Sequence, residues 1–263
     1  MPADHPAGQA DVTRPRVVVS VTATADGRVT LSRMERLLDD GPNLRWKATW
    51  PPDVGELLTR RATAIERRHH PTVVLEGSGT FVADGAGQLH LPDTSVPADV
   101  LWTDFLPYRS ARWFAVVDSR GRVAWTHKGD ENTSLLVIAS RSTPLPYLAH
   151  LRQERIPYLV AGADRVDLTA ALAKIRTQLG AECLVSEAGG GLNGALLRGG
   201  MVDELHIITV PALVGGLGTP SIMDGVPLET GSLPQQLRAI DVQVGAHGTI
   251  WAHYEVVARR SGP

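Results

Sequence analysis

Short runs of β-branched and aliphatic residues alternate along this chain with segments whose apolar positions fall three and four apart. Arg16-Val-Val-Val-Ser-Val-Thr22 is the first such run, stopped by the turn signal Asp26-Gly27. Thr72–Leu75, Trp113–Val117, Ser134–Ala139, Ile156–Val160, Cys183–Ser186, Leu205–Val210 and Thr249–Ala258 read as further strands. Between them, Val54, Leu57, Leu58, Ala62 and Ile65 mark one face of a helix over 53–68, with Asp53 as its N-cap. A second helix falls near Pro144–Gln153. A third, Asp167–Leu179, shows its apolar face at Leu168, Ala171, Leu172, Ile175 and Leu179, with Asp167 as cap and Gly180 at the C′ position. A short helix over Leu192–Arg198 follows the glycines after Ser186. Strands alternating with helices predict parallel βαβ units. The expected organisation is one α/β domain over 15–260 behind a flexible tail, 1–14.

Two stretches carry no clean period. Residues 31–52 include Gly41-Pro42 and Pro51-Pro52. The longer one, 85–112, reads as a lid, a contact arm or a partly disordered stretch; Trp102, Phe105 and Tyr108 could cover a pocket, with packing onto the body the favoured use. The basic cluster Arg60, Arg61, Arg67 and Arg68 suits a solvated helix C-terminus, where the dipole favours cations; a phosphate ligand at Arg60 or Arg61 is the alternative.

Composition narrows the function classes. Twenty-six Lys+Arg against 28 Asp+Glu give a net charge of −2, which excludes a general nucleic-acid binder. No apolar run reaches the ~20 residues needed to span a bilayer, and the first fourteen residues lack the hydrophobic stretch of a signal peptide. A soluble cytoplasmic protein is expected. One cysteine, Cys183, excludes an internal disulfide and every multi-cysteine metal site, and no metal is expected.

In a parallel α/β sheet, ligands sit outside the carboxyl ends of the strands, and three strand ends here are unusual. Glu187-Ala188-Gly189-Gly190-Gly191-Leu192-Asn193-Gly194 leaves a strand and opens a helix, where free N–H groups and the helix dipole favour a phosphate. Gly189, Gly191 and Gly194 spell GxGxxG. A Rossmann domain carries that motif at its first strand, with an acid ~20 residues on, whereas here it follows several strands. Tight helix–strand packing and phosphate binding account for it equally well. Gly77-Ser-Gly-Thr80 and Asp118-Ser119-Arg120 are the other two ends; each suits a phosphate or an ordinary turn. No GxSxG elbow, HExxH or Walker A sequence is present, His69-His70 sit at the basic helix end, and the nine histidines read as scattered surface or core residues. Glu187 and Asp26, acids beside the strand ends, are the candidates for catalytic roles.

Five segments in order carry a resemblance: Thr24-Ala-Asp-Gly-Arg-Val, Gly77-Ser-Gly-Thr-Phe-Val-Ala-Asp84, Val116-Val-Asp-Ser-Arg-Gly-Arg122, Ser186-Glu-Ala-Gly-Gly-Gly-Leu, and Met201-Val-Asp-Glu-Leu with Pro211-Ala-Leu-Val-Gly-Gly216. Over roughly residues 14–260 the chain resembles the reductase domain of riboflavin biosynthesis, in the dihydrofolate-reductase-like superfamily. The resemblance implies a three-layer α/β fold: a mainly parallel central sheet, helices on both faces and an antiparallel C-terminal strand. It also implies an NADPH-dependent reductase of a small molecule, working as a homodimer. Gly189, Gly190, Gly191, Leu192, Asn193, Gly194 and Ala195 would bind the pyrophosphate. Thr80 and Asp84 would contact the cofactor, Ser119 with Arg120 would meet the adenosine 2′-phosphate, and Thr22 and Ala23 would line the nicotinamide. Glu187 matches a substrate-contacting glutamate, and Asp26 lies in the turn bordering the pocket.

The departures fall on the substrate half. Ser20 stands where riboflavin-pathway reductases commonly carry lysine. Ala83-Asp84-Gly85-Ala86 replaces ADDP, no arginine follows in Gln88-Leu-His-Leu91, and only Trp46 or Trp50 is at hand for the pocket tryptophan. The expected activity is therefore NADPH-dependent hydride transfer to a small heterocyclic or carbonyl/imine substrate. The alternatives are the riboflavin-pathway pyrimidine phosphate reductase, with Arg60 or Arg61 as phosphate ligand, and a non-catalytic nucleotide-binding protein.

Overall fold

The computed structural model describes residues 13–87 and 89–257. Residues 1–12 of the expected tail, Gln88 and the 258–260 end of the expected domain lie outside them. The strands are β1 (Arg16–Thr24), β2 (Val73–Gly77), β3 (Arg112–Val117), β4 (Thr133–Ala139), β5 (Tyr158–Val160), β6 (Cys183–Ser186), β7 (Glu204–Val210), β8 (Leu237–Val244) and β9 (Ile250–Val256). They form a single sheet in the order β5-β4-β3-β2-β6-β1-β7-β9-β8. From β5 to β7 every pairing is parallel; β9 runs antiparallel to β7, and β8 antiparallel to β9. Val17, Val18 and Val19 on central β1 are fully buried, as a strand covered on both faces requires. The expected parallel sheet with an antiparallel C-terminal end is present, with two antiparallel strands rather than one.

The helices are α1 (Asp40–Lys47), α2 (Val54–His69), α3 (Ala98–Leu101), α4 (Leu145–Gln153), α5 (Leu168–Leu179) and α6 (Gly190–Arg198). Side chains alternate across a strand, so each strand feeds two cores. Ala171, Leu172 and Ile175 of α5 and Leu196 of α6 pack with Val17, Val19, Leu75 and Leu184 on one face. On the other, Ile65 of α2 meets Val18 and Val185, Leu57 meets Ile208 and Trp251, and α4 covers Val116, Leu135 and Val137. Asp167 caps α5, its carboxylate accepting from Ala170 N at 3.1 Å, and Gly180 closes it at φ 70°. No helix of the described residues is long and apolar enough to cross a membrane.

One sequence expectation is corrected, one strand was not foreseen and one reading among several is decided. Asp53 precedes α2 but makes no side-chain cap. Its carboxylate instead accepts from the Thr249 hydroxyl at 2.7 Å and from His247 N at 2.8 Å, pinning the β8–β9 turn. Strand β8 was not foreseen: Leu237, Ile240, Val242 and Val244 are exposed and a bulge at Ala239/Asp241 breaks the alternation, so no buried face marks it. Of the readings for the 85–112 stretch, packing on the body holds for its described residues. The stretch straps the far edge of the sheet, with Leu101 fully buried, Phe105 bridged to Tyr158, and Asp104 bonded to Lys174 and Gln178.

Beneath α2 lies a polar anchor that the sequence read as scattered histidines. Glu204 on β7 is 1% exposed. Its Oε1 accepts from Arg16 at 2.7 and 3.2 Å, with Arg68 at 3.6 Å. His69 and His253 place Nε2 at 3.0 and 3.1 Å from Oε2, and His206 Nε2 stands 3.5 Å away. The ligand atoms of Glu204, His206 and His253 lie within 4.8 Å of one another, the spacing of a metal site. However, the Trp251 indole N–H donates to His206 Nδ1 at 3.3 Å. An indole nitrogen only donates, so the neutral His206 ring carries its proton on Nε2, facing the carboxylate. The group is a carboxylate surrounded by N–H donors. Burial opposes the charge on Glu204, but these donors hold its pKa well below the ordinary value. Burial and the stacked His206 ring, 4.0 Å from centroid to centroid, push His253 down.

Both shifts make acid destabilising. His253 binds its proton less readily folded than unfolded, so stability falls as pH drops below the ordinary histidine value of about 6.5. Glu204, lowered in the fold, adds a second loss below about pH 4. Urea midpoints measured across this range should decline in two stages, with the first reduced in His253→Gln. Glu204→Gln should cost about 2–3 kcal/mol at neutral pH, less than a fully enclosed pair because Arg16 and Arg68 keep water contact.

Candidate active site

The carboxyl ends of β1, β6, β2 and β3 open on one edge, and a cleft of about 710 Å³ runs along them. Its lateral wall comes from residues between Val29 and Leu38, in the stretch without period, and from Pro220 and Asp224. Arg33, bonded to Asp224 and Gly218 O, and Arg36, bonded to Asp39 and Phe81 O, brace that wall.

At one end is the start of α6. Asn193 N already donates to Gly189 O, so the first-turn N–H groups of Gly190, Gly191 and Leu192 are the helix's open donors. A Cβ on Gly189 or Gly191 would meet no atom within 4 Å, whereas one on Gly190 would lie 2.0 Å from Ser221 O and one on Gly194 1.8 Å from Asp224 O. The packing account therefore holds at Gly190 and Gly194, while Gly189 and Gly191 face open space. Asn193 is fully buried, accepting from Ser186 Oγ and donating to Ala188 O, each at 2.7 Å. It locks the turn rather than facing the cleft.

The β3 end supplies Ser119 and Arg120, whose side chains make no hydrogen bond among the described residues. Their turn is held from below by fully buried Asp118, which accepts from Arg122 N, Val123 N and the Tyr147 hydroxyl. A neighbouring hollow of about 550 Å³ joins Ser119 and Arg120 to Ala195.

The floor carries the acids. Register pairs Val19 with Ser186 and Leu75 with Ser186. The next residues, Ser20, Glu187 and Glu76, consequently sit side by side on the face covered by α2. Arg61 reaches in from α2, 8% exposed, donating to Val21 O at 2.7 Å. Glu187 is exposed at the cleft, where partial desolvation by its surroundings raises its pKa and the Arg61 charge opposes that rise. Glu76, 9% exposed, accepts from the Thr80 hydroxyl at 2.9 Å. Burial and the Glu187 charge push its carboxyl up to about 8, with Thr80 acting the other way.

Of the predicted site residues, Thr22, Thr80, Asp84, Ser119, Arg120, Glu187, Gly189, Gly190, Gly191 and Leu192 line the cleft. Ala23 is fully buried, and Asn193, Gly194 and Ala195 are not in its wall. Asp26 stands outside: its carboxylate takes the Thr24 hydroxyl at 2.5 Å and Gly215 N at 2.7 Å, which hold its pKa down and tie two loops together. Trp46 and Trp50 pack edge-to-face on each other, and neither reaches the cleft. Arg61 is in the wall, not on a solvated helix end, while Arg60 turns outward to Glu56 and Gln243. Glu76, Arg33 and Arg36 were missed. Glu76 had a visible signal: an acid breaking an apolar strand one residue before its glycine turn.

A model of the RibD C-terminal domain family matches residues 15–251. The chain belongs to this family. It is a reductase domain, so the expected oxidoreductase class and dihydrofolate-reductase-like fold stand. The 2,5-diamino-6-ribosylamino-4(3H)-pyrimidinone 5′-phosphate reductase of Methanothermobacter thermautotrophicus is 30% identical over 215 residues, covering 81% of this chain and 85% of its own. Among solved structures, Acinetobacter baumannii RibD superposes at a TM-score of 0.61 and 19% identity, over 93% of this chain and 58% of that one. The riboflavin biosynthesis reductase Rib7 of Saccharomyces superposes at 0.55 and 14% identity, over 95% and 93%. This chain thus spans under two thirds of the Acinetobacter protein.

The glycines give a direct test. Gly190→Ala and Gly194→Ala should unfold at clearly lower denaturant, since each new methyl meets backbone. Gly191→Ala should leave stability unchanged or raise it by up to about 1 kcal/mol, the helix propensity gain. Asn193→Ala should cost about 1–3 kcal/mol by stranding Ser186 Oγ and Ala188 O.

Proposed function

We propose that this chain is an NADPH-dependent reductase that transfers hydride to a C=N or C=O carbon of a small heterocyclic substrate, of the ribosylamino-pyrimidinone phosphate kind. One observation carries the reading: a single cleft joins open helix N–H groups and an unengaged Ser119–Arg120 pair at one end to two neighbouring acids, buried Glu76 and exposed Glu187, at the other. The residues suit NADPH. The N–H groups of Gly190, Gly191 and Leu192, beside the space at Gly189, would hold the pyrophosphate. Arg120 and Ser119 would take the 2′-phosphate, which distinguishes NADPH from NADH. Thr80 and Asp84 border the route between, and Thr22 lies where the nicotinamide would be lined. Bound there, the cofactor supplies hydride; the protein supplies orientation and charge.

On the substrate side, Glu187 faces Arg61 and would orient substrate N–H groups as a carboxylate. Ser20 in place of lysine leaves Arg61 as the buried cation within reach of a substrate phosphate, which favours it over Arg60 for that role. The relative from Methanothermobacter, named for the pyrimidinone phosphate and matched over most of its length, supports this substrate class. We place the activity in one domain over 15–260, in the cytoplasm, in a homodimer without nucleic-acid partners. The exposed apolar row Leu237, Ile240, Val242 and Val244 on edge strand β8 supports the dimer, because a second copy would cover it.

Loss of NADPH absorbance on adding 2,5-diamino-6-ribosylamino-4(3H)-pyrimidinone 5′-phosphate is the expected outcome. Arg61→Ala should raise KM far more than it lowers kcat. No oxidation with that compound or with a panel of carbonyls and imines would contradict the proposal. Val242→Lys should shift the protein toward monomer in light scattering.

A further inference from the structure

The cleft holds one buried acid that the reading above leaves unused. Glu76 ends an apolar strand, and its side chain points to the α2 face beside Glu187. Glu187 faces the Arg61 charge, and Asp26 is committed to loop N–H groups outside the cleft. Glu76 has no ion pair among the described residues. The Thr80 hydroxyl donates to its Oε2, which fixes the carboxyl orientation and leaves Oε1 as the atom that can carry a proton into the cleft.

We infer that Glu76 is the proton donor of the reduction, a catalytic residue that protonates the substrate heteroatom as the adjoining carbon is reduced. The inference rests on the reductase reading. The substrate carbon receives the hydride supplied by NADPH, the π pair of its C=N or C=O bond moves onto nitrogen or oxygen, and that atom takes the proton from Glu76 Oε1. NADPH is thereby oxidised to NADP⁺. Glu76 is left as a carboxylate and regains its proton from water at the open side of the cleft.

Three features select Glu76 over its neighbour. A general acid must hold its proton at working pH yet release it on demand. Two adjacent carboxyls cannot both ionise cheaply, and the one beside a cation takes the charge. Arg61 favours the charge on exposed Glu187, so the proton resides on buried Glu76. The Thr80 contact ties the acid to the 78–80 turn that borders the cleft.

The test compares wild type with Glu76→Gln, which preserves shape and an acceptor for Thr80. Infrared difference spectra of the unliganded protein should show a protonated carboxyl band at neutral pH that disappears as pH rises through about 8 and is missing in the variant. In single turnovers of NADPH with the pyrimidinone phosphate, the wild-type rate should fall over the same range. Glu76→Gln should bind NADPH with unchanged affinity, transfer hydride about 100-fold or more slowly, and lose the alkaline fall. Thr80→Val, which removes a bond that favours the carboxylate, should move that fall to higher pH. A variant that keeps the wild-type rate and pH profile, or a wild type without the carboxyl band, overturns the assignment. A wild type that oxidises no NADPH overturns the reductase reading itself, and this role with it.

Discussion

Everything in the cleft depends on the parallel register of β1, β6 and β2. Parallel strands require crossovers that return the chain to the same end, so their carboxyl ends open together on one edge. The register aligns Val19, Ser186 and Leu75, and the residues after them, Ser20, Glu187 and Glu76, make a polar row under α2. A slip of one residue in any strand would turn that residue to the opposite face, into the core shared with α5 and α6. The site is precise because the sheet beneath it is packed on both sides.

The α2 face carries acidic side chains in two contrasting arrangements. Toward the amino ends of the strands, one carboxylate, Glu204, is surrounded by Arg16, His69 and His253. That surplus of donors keeps the charge in place and binds α2, β1, β7 and β9 together. Toward the carboxyl ends the ratio reverses: two carboxyls share Arg61 and a threonine hydroxyl. An undersupplied pair costs stability, and such pairs are where proton chemistry is found. In the proposed reduction that deficit has a use, as the source of a proton for the substrate.

The parts of this molecule that could be read from sequence were those whose residues report on themselves. Helix α5 had periodicity, a capping Asp167 and a terminal glycine, and β6 appeared as foreseen. The glycine loop was recognisable, but spelling could not separate Gly190 and Gly194, pressed against the 221–224 segment, from the open Gly189 and Gly191; that distinction needs the distant chain. Asp53 had the composition of a cap, yet Thr249 and His247 competed for it from 194 and more residues away. Arg61 lay in a basic cluster indistinguishable from a solvated helix end, and only the placement of α2 over β1 sends it inward. Strand β8 kept no buried face, so it had no pattern to show. The glycine-loop and Ser119–Arg120 end of the cleft was legible because it is built from local turns, and the acid end was not, because it is assembled across three strands and a helix.

The proposed activity requires the cleft to cradle a 2′-phosphorylated dinucleotide. Titration of the purified protein with NADPH and with NADH, read by energy transfer from its tryptophans, tests it most directly, with Arg120→Ala measured alongside. Saturable binding that favours NADPH, with the preference abolished in Arg120→Ala, is the predicted result. Absent binding, or equal affinity for both cofactors unaffected by the substitution, would contradict it.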